Sequence, residues 1–339
     1  MIKSFLRYCV FLGFRAMWRF FPSLCKTNCW RVSRVLQWFA QHDRDLHTKI
    51  YNCFVGATVA KLEIWLRHNK INAMTFIALI PQNDPFVRFE EIYHMFADAR
   101  LTHAEHTRWV ILNLKFLENL QVRTESGCRD LLDLQQVRFH TLKDTTGGGG
   151  EYHFYFKIPR GSTYQEGFLR LDISFTKENA SERLYTSSLC ITPQSDLLIT
   201  SVKGETLVKG EGQVDKEHIR FLTKHCCCHP AAFLVELQKI LTRILGLNKT
   251  LGIPNAAQVS YVRYADRRGL VRDYDDFFMK RGADEADLVE IGGRTYYDLP
   301  HAHRDITYYP QKKRSIRKKR WQLLDAIEEE FKNTLCRRG

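Results

Sequence analysis

Three groups of side chains in this 339-residue chain have the types and spacing that chemistry requires. The first is Asp273-Tyr-Asp-Asp-Phe-Phe278, in which Asp273, Asp275 and Asp276 crowd together. Clustered carboxylates raise one another's pKa and can act as general acid or base, so all three are candidate catalytic residues. The plainer alternative is that Asp273 caps a helix whose Tyr274, Phe277 and Phe278 pack inward. The second group is His225-Cys-Cys-Cys-His229. Cysteine and histidine ligate zinc, but structural sites usually separate their ligands by about two to four residues, and adjacent ones converge poorly on a tetrahedral centre. The expectation is therefore no metal, with the thiols packed as small hydrophobes. His229 is kept as a further catalytic candidate. The third group is cationic: Lys203 before Gly204, Lys224 and His229 ahead of Pro230, and Lys312, Lys313, Arg317 and Lys318 in the run 312–320. These are candidate anion contacts for a cofactor.

The elements that must position them are legible. Asp196–Val202 reads as a strand, followed by a Lys203-Gly204 break and a Pro230-headed helix ending before Gly246; Gln258–Tyr264 reads as a second strand. That order sets a helix N-terminus beside a sheet edge, where free N–H groups and the helix dipole hold phosphate or carboxylate. Phe233, Leu234, Leu237, Ile240, Leu241, Ile244 and Leu245 give the helix a wide apolar face for packing on the sheet. Val214–Lys224 reads as another helix. Upstream, Glu151–Ile158, Gly167–Phe175 and Leu184–Thr192 read as successive strands whose short links suit antiparallel neighbours.

From Trp30 to about His140 the period is helical instead, over Val32–Phe39, Val59–Leu66, Phe86–Ala97, Arg108–Leu120 and Arg129–Phe139. The stretch Thr145-Thr-Gly-Gly-Gly-Gly150 separates the two regimes. The expectation is an α+β chain: a helical, basic part over 1–145, then a mixed domain over 146–339 built on a mostly antiparallel sheet. A C-terminal helix should begin near Ser315, with Ile316, Leu323, Leu324, Ile327, Phe331 and Leu335 on one face. Its early cations oppose the helix dipole, and a bound anion would reverse that penalty.

Charge narrows the partners. The net charge of +13 resides in two places. Residues 1–60 carry nine Lys/Arg against two acids, and residues 311–320 carry seven cations and no acid, so the rest is close to neutral. The ten cysteines show no disulfide framework, which points to reduced thiols. Arg7, Arg15 and Arg19 interrupt every apolar run near the start, so neither a signal peptide nor a spanning helix is expected there. Lys3, Arg7, Arg15 and Arg19 recur at multiples of four and form a cationic stripe beside Phe5, Phe11, Phe14 and Trp18. An amphipathic helix of that kind lies in a lipid interface or packs on its own domain.

Several segments in order resemble the bacterial VirK/YbjX family. They are the strand ending at Lys203-Gly204, the Pro230-headed leucine-rich helix, Val259-Ser260, the block Asp273–Phe278 followed by Gly282, Tyr297-Asp-Leu-Pro300, and the basic run from Lys312 into Leu324. The resemblance covers most of 150–325. It departs around Pro230, where Lys224, His229 and Ala231 stand in place of the family's arginine-rich flank. What it implies is a role in Gram-negative envelope maintenance, in antimicrobial-peptide tolerance or virulence, for a protein that is either cytoplasmic or peripheral on the inner membrane. The implied partner is an anionic membrane surface or a phosphate-bearing ligand. The element order is also similar to that of acyl-CoA N-acyltransferases, in which pyrophosphate lies on a helix N-terminus, so acyl-CoA is the cofactor to consider. Nucleic acid is disfavoured, because no recognised motif accompanies the basic run.

Overall fold

Aromatic and β-branched residues at alternate positions suit a strand packed on both sides, and the stretch from Glu151 to Ile191 forms the middle of a large sheet. The computed structural model describes residues 96–144, 149–159, 166–178, 180–204, 216–263, 273–279, 287–303 and 305–337. The expected helices at 1–21, Val32–Phe39, Val59–Leu66 and all but the last two residues of Phe86–Ala97 lie outside them. In chain order the described elements begin with α1 (His103–Glu118), β1 (Leu120–Thr124), β2 (Gly127–Asp130), α2 (Leu131–Leu134) and β3 (Gln136–Lys143). Four long strands follow: β4 (Glu151–Lys157), β5 (Leu169–Lys177), β6 (Ala180–Ile191) and β7 (Leu197–Gly204). Then come α3 (Lys216–Cys226), α4 (Pro230–Ile244), β8 (Thr250–Gly252), α5 (Val259–Arg263) and α6 (Tyr274–Phe277). The last are β9 (Asp287–Ile291), β10 (Arg294–Asp298), α7 (Gln311–Thr334) and β11 (Leu335–Arg337).

The fold is α+β. Among the described residues an eight-stranded sheet runs β3-β4-β5-β6-β7-β8-β10-β9, and β11-β1-β2 form a small second sheet. Every pairing in the large sheet is antiparallel except β7 with β8, which the helices α3 and α4 connect. Asp144 N–H donates to Gly150 O, so the glycine-rich link joins two strands of one sheet.

One face of the sheet is a conventional core. The rows Phe154–Ile173–Tyr185 and Phe156–Leu171–Ser187 lie in register across β4, β5 and β6. Phe154 meets Phe233 of α4 edge-on, and Phe331 of α7 meets Phe156 while stacking on Phe139 at 4.0 Å. Tyr152 stacks on Phe221 of α3 at 4.4 Å. The expected apolar face of α4 is buried here, with Pro230 in its first turn and Gly246 just past its end at φ +62°.

Three expectations are corrected. Arg129–Phe139 is not a helix: Gln135 turns left-handed (φ 62°) after one turn of α2, and the chain continues as β3 along β4. Gln258–Tyr264 is not a strand. The parallel strand is β8, and Pro254, which has no N–H to give a ladder, ends it. The Gln258 side chain then accepts from Tyr261 N–H, and the segment winds into α5. Finally, α7 begins at Gln311 rather than near Ser315, which brings Lys312, Lys313 and Arg314 into its first turn.

Candidate functional site

The second face of the same strands is polar and yet buried. Two rows in register carry it, Tyr155–Asp172–Thr186–Lys203 and Lys157–Arg170–Ser188–Ser201, running across β4 to β7. Arg170 and Asp172 are 3% and 1% exposed. The Asp172 carboxylate accepts from Thr186 Oγ1 at 2.7 Å and pairs with Lys157 Nζ at 2.5 Å and Arg170 Nε at 2.8 Å. Burial pushes the Lys157 ammonium below its usual range, and Asp172 opposes that only in part.

Beside this cluster sits Glu166, 3% exposed, at the end of the β4–β5 connection. Its Oε1 takes Lys203 Nζ at 2.5 Å, Ser260 Oγ at 2.7 Å and Gln258 Nε2 at 3.3 Å. Its Oε2 takes Ser201 Oγ at 2.8 Å and Ser188 Oγ at 3.5 Å. Five side chains from β6, β7 and the α5 region thus converge on one carboxylate and fix its position. Lys203 and Ser260 are its partly exposed members and form its side toward solvent.

Glu166 stands where β7 parts from β8. The two strands pair only from Leu197–Thr250 to Ile199–Gly252. Beyond that point side chains take up the β7 backbone: Gln258 Nε2 donates to Thr200 O, and Val202 N–H donates to the Tyr274 hydroxyl. Gln258 also bridges to Asp98, whose buried carboxylate receives Arg100 and the Tyr296 hydroxyl. Burial, with Asp98 adjacent, holds the Tyr296 phenol well above its usual range. Tyr296 in turn lines a cleft of about 400 Å³ between α1, the β6–β7 turn and the β9–β10 hairpin, walled also by Trp109, Leu112 and Arg108. Its Arg294 is paired to Glu105 at 2.7 Å, and this pairing joins the Thr102 capping box in holding the Glu105 carboxyl down at about 2. A chain of polar contacts therefore runs from the cleft wall to Glu166.

The residues singled out from sequence are distributed differently. Lys203 lies in the site. Lys224 is exposed near the C-terminal end of α3. His229 is the N-cap of α4, where its Nδ1 accepts from Ala231 N–H at 3.2 Å. Asp273 caps α6, accepting from Asp276 N–H and Asn255 Nδ2. Asp275 accepts from Asn255 N–H and binds the Tyr297 phenol, which burial and this bond push up to about 12. Asp276 is exposed. On α7, Lys312, Lys313 and Lys318 are exposed, and Arg317 lies over the Tyr309 ring at 3.6 Å. The basic run and the cysteine run do meet: Arg320 donates to Cys227 O at 2.6 Å. Burial pushes the Cys228 thiol up to about 12, which disfavours its thiolate.

The comparisons can be set against this geometry. Residues 57–333 match the model of the family described as "Protein of unknown function (DUF535)". The chain belongs to this family. A Haemophilus influenzae relative, described as uncharacterized, is 33% identical over 175 residues, covering 49% of this chain and 57% of that protein. A second uncharacterized H. influenzae protein is 26% identical over 245 residues, 71% of this chain and 75% of its own length. "Membrane protein LapB" of Mannheimia haemolytica is 28% identical over 205 residues, 58% of this chain and 82% of its own. No solved structure matches. Among the described residues no helix is long and apolar enough to cross a membrane, and the described parts of the site fall inside the family match.

Glu166, Asp172, Arg170, Lys157 and Ser260 escaped the sequence reading. Their signal was present in Leu169-Arg-Leu-Asp-Ile173, where charged residues alternate with apolar ones in a strand flanked on both sides. Charges on a central strand are buried if anything covers that face, and buried charges are kept only with partners. Chemically, the site offers a fixed carboxylate with a hydroxyl, an ammonium and an amide around it.

Proposed function

We propose that the chain is an envelope-maintenance protein of the VirK/YbjX kind, serving antimicrobial-peptide tolerance or virulence, and that its chemistry is acyl transfer from a donor of the acyl-CoA type. The observation that carries this reading is the Glu166 carboxylate set where β7 and β8, parallel and joined by α3 and α4, stop pairing. In this reading Glu166 is the general base and Ser260 relays the proton from the acceptor's amine or hydroxyl. The acceptor's lone pair then forms a bond to the acyl carbon as the carbon–sulfur bond breaks, and the abstracted proton ends on the released thiol. Lys203, paired to Glu166 at 2.5 Å, supplies the counter-charge. In this scheme the acceptor approaches from the Lys203–Ser260 side of Glu166; the 400 Å³ cleft, which neither Glu166 nor Ser260 lines, is not its pocket. The resemblance in sequence supports the envelope half, as does the printed name of the Mannheimia relative.

Thermal unfolding with acyl-CoA tests the donor. A ligand present at about a hundred times its Kd stabilises by about 2.7 kcal/mol, a shift of several degrees. Acetyl-CoA and longer acyl-CoAs at millimolar concentration should raise the melting temperature of the wild type. Glu166→Gln should keep that rise and lose transfer to added amines by about a hundredfold or more, the usual worth of a general base. No rise with any acyl-CoA rejects the reaction.

A further inference from the structure

Within α7 the two kinds of cation do different work. The arginines face the body of the protein. Arg314 donates to Tyr309 O at 2.8 Å and Thr307 O at 2.9 Å, Arg317 covers the Tyr309 ring, and Arg320 reaches Cys227 O. The lysines do not. Lys312, Lys313, Lys318 and Lys319 are all exposed, and their ammonium groups have no ion pair or hydrogen bond among the described residues. Three of the arginines thus fasten this half of the helix, as a planar multidonor group can, and four ammonium groups stand in water.

Apolar side chains stand among them. Ile316 is 51% exposed and Tyr308, in the turn just before the helix, is 63% exposed. Lys312, Ile316 and Lys319 are spaced by four and three residues, so they share one side of the helix. The sign of the charge also changes along α7. Residues 311–320 hold no acid, whereas Asp325, Glu328, Glu329 and Glu330 follow, with Glu328 bound to Arg243 and Lys332. An isoleucine flanked by unpaired lysines is poorly placed for water alone. It suits an interface that is anionic at its surface and apolar just beneath.

We infer that the N-terminal half of α7 docks on an anionic lipid surface, with lysines 312, 313 and 319 on headgroup phosphates and Ile316 and Tyr308 in the acyl boundary, Lys318 lying on the far side of the helix. This goes beyond acyl transfer and stands or falls separately from it, since neither Glu166 nor the cleft takes part. A duplex nucleic acid would use the lysines but has no place for the isoleucine.

The experiment is co-sedimentation of the full chain with vesicles of phosphatidylcholine alone or mixed with phosphatidylglycerol, at low and high salt. Binding should need phosphatidylglycerol and weaken with salt. Each lysine near the surface contributes roughly a fivefold factor in affinity, so the Lys312→Gln/Lys313→Gln/Lys319→Gln variant should lose vesicle binding by about a hundredfold, and Lys318→Gln alone should lose little. Ile316→Ser should lose about tenfold, the share of one buried aliphatic side chain, and keep the same salt dependence. All the substituted positions are exposed, and an unchanged circular dichroism melt for each variant excludes misfolding as the cause. Wild-type affinity of the threefold lysine variant for the mixed vesicles overturns the assignment, because the attachment then lies elsewhere in the chain. Loss of retention on duplex DNA with vesicle binding intact overturns it in favour of a polynucleotide. Equal binding to neutral vesicles overturns it as well.

Discussion

The two faces of the central sheet are made from the same four strands and solve burial in opposite ways. On the helix-covered face Phe154 meets Phe233, Phe156 meets Phe331, Leu171 is fully buried beside them in the sheet, and each burial removes apolar surface from water. On the other face Asp172, Arg170 and Lys157 are removed from water as ions and regain only part of their hydration through one another. The first arrangement is what folding alone selects. The second is the less stable way to fill the space, since well-packed hydrophobic residues in place of a buried ion cluster are often neutral or stabilising by about 1–4 kcal/mol. The difference teaches that the polar face is not the arrangement that stability alone selects.

The largest test breaks that face in two ways. Asp172→Ala leaves Lys157 and Arg170 buried without their counter-charge and should destabilise by about 3–5 kcal/mol in urea unfolding. Replacing all three together, as Lys157→Met/Arg170→Met/Asp172→Leu, should restore wild-type stability or exceed it, because no buried charge is then left alone. A triple variant as unstable as the single one would mean that the cluster is a structural keystone, and the contrast between the faces would collapse.

The helix-covered face should show no such rescue. Phe331 is fully buried between Phe139 and Phe156, so Phe331→Ala should cost about 3–5 kcal/mol through lost transfer and a residual cavity. Phe331→Leu should recover more than half of that by refilling much of the volume. If Phe331→Ala costs less than about 1 kcal/mol, α7 is not an integral part of this core.

How much of this was readable beforehand depended on which force decides each element. The strands β4 to β7, the helices α1, α3 and α4 and the antiparallel order follow from hydrophobic period and turn chemistry, which are local. The segment after Pro254 was misread because Val259-Ser-Tyr-Val262 has the β-branched and aromatic composition of a strand, while a single side chain, Gln258, caps it as a helix. Likewise Arg129–Phe139 has helical spacing, but pairing with β4 outweighed it from Gln136 onward. The site was the least legible part. Glu166, Lys203, Gln258 and Ser260 are separated by as many as 94 residues and meet only through the sheet order. The aspartates of the 273–276 block looked more catalytic because they are adjacent in sequence, and in the fold Asp273 is a cap and Asp275 a bridge between Asn255 and Tyr297.

The smallest effect expected is a pH dependence from the polar face. His153 lies on β4 two residues before Tyr155 and is 6% exposed at its side chain. Burial first, and then the nearby Arg138 charge, lower its pKa, while Glu151 at 3.6 Å opposes them. The folded protein therefore holds this imidazole neutral at a pH where the unfolded chain has begun to protonate it, near about 6.5. The unfolded state then binds more protons, so stability rises with pH across that window. The contribution is complete above the unfolded value and is lost as pH falls through the folded one. His301 and His303 are shifted in the same direction, also chiefly by burial, so the wild-type urea midpoint should fall between pH 7.5 and 5.5 by the sum of the three. His153→Gln should remove only the share belonging to the polar face, and the slope should flatten partway. An unchanged slope would mean that solvent reaches His153 freely, and that this end of the face is less dry than the Asp172 end.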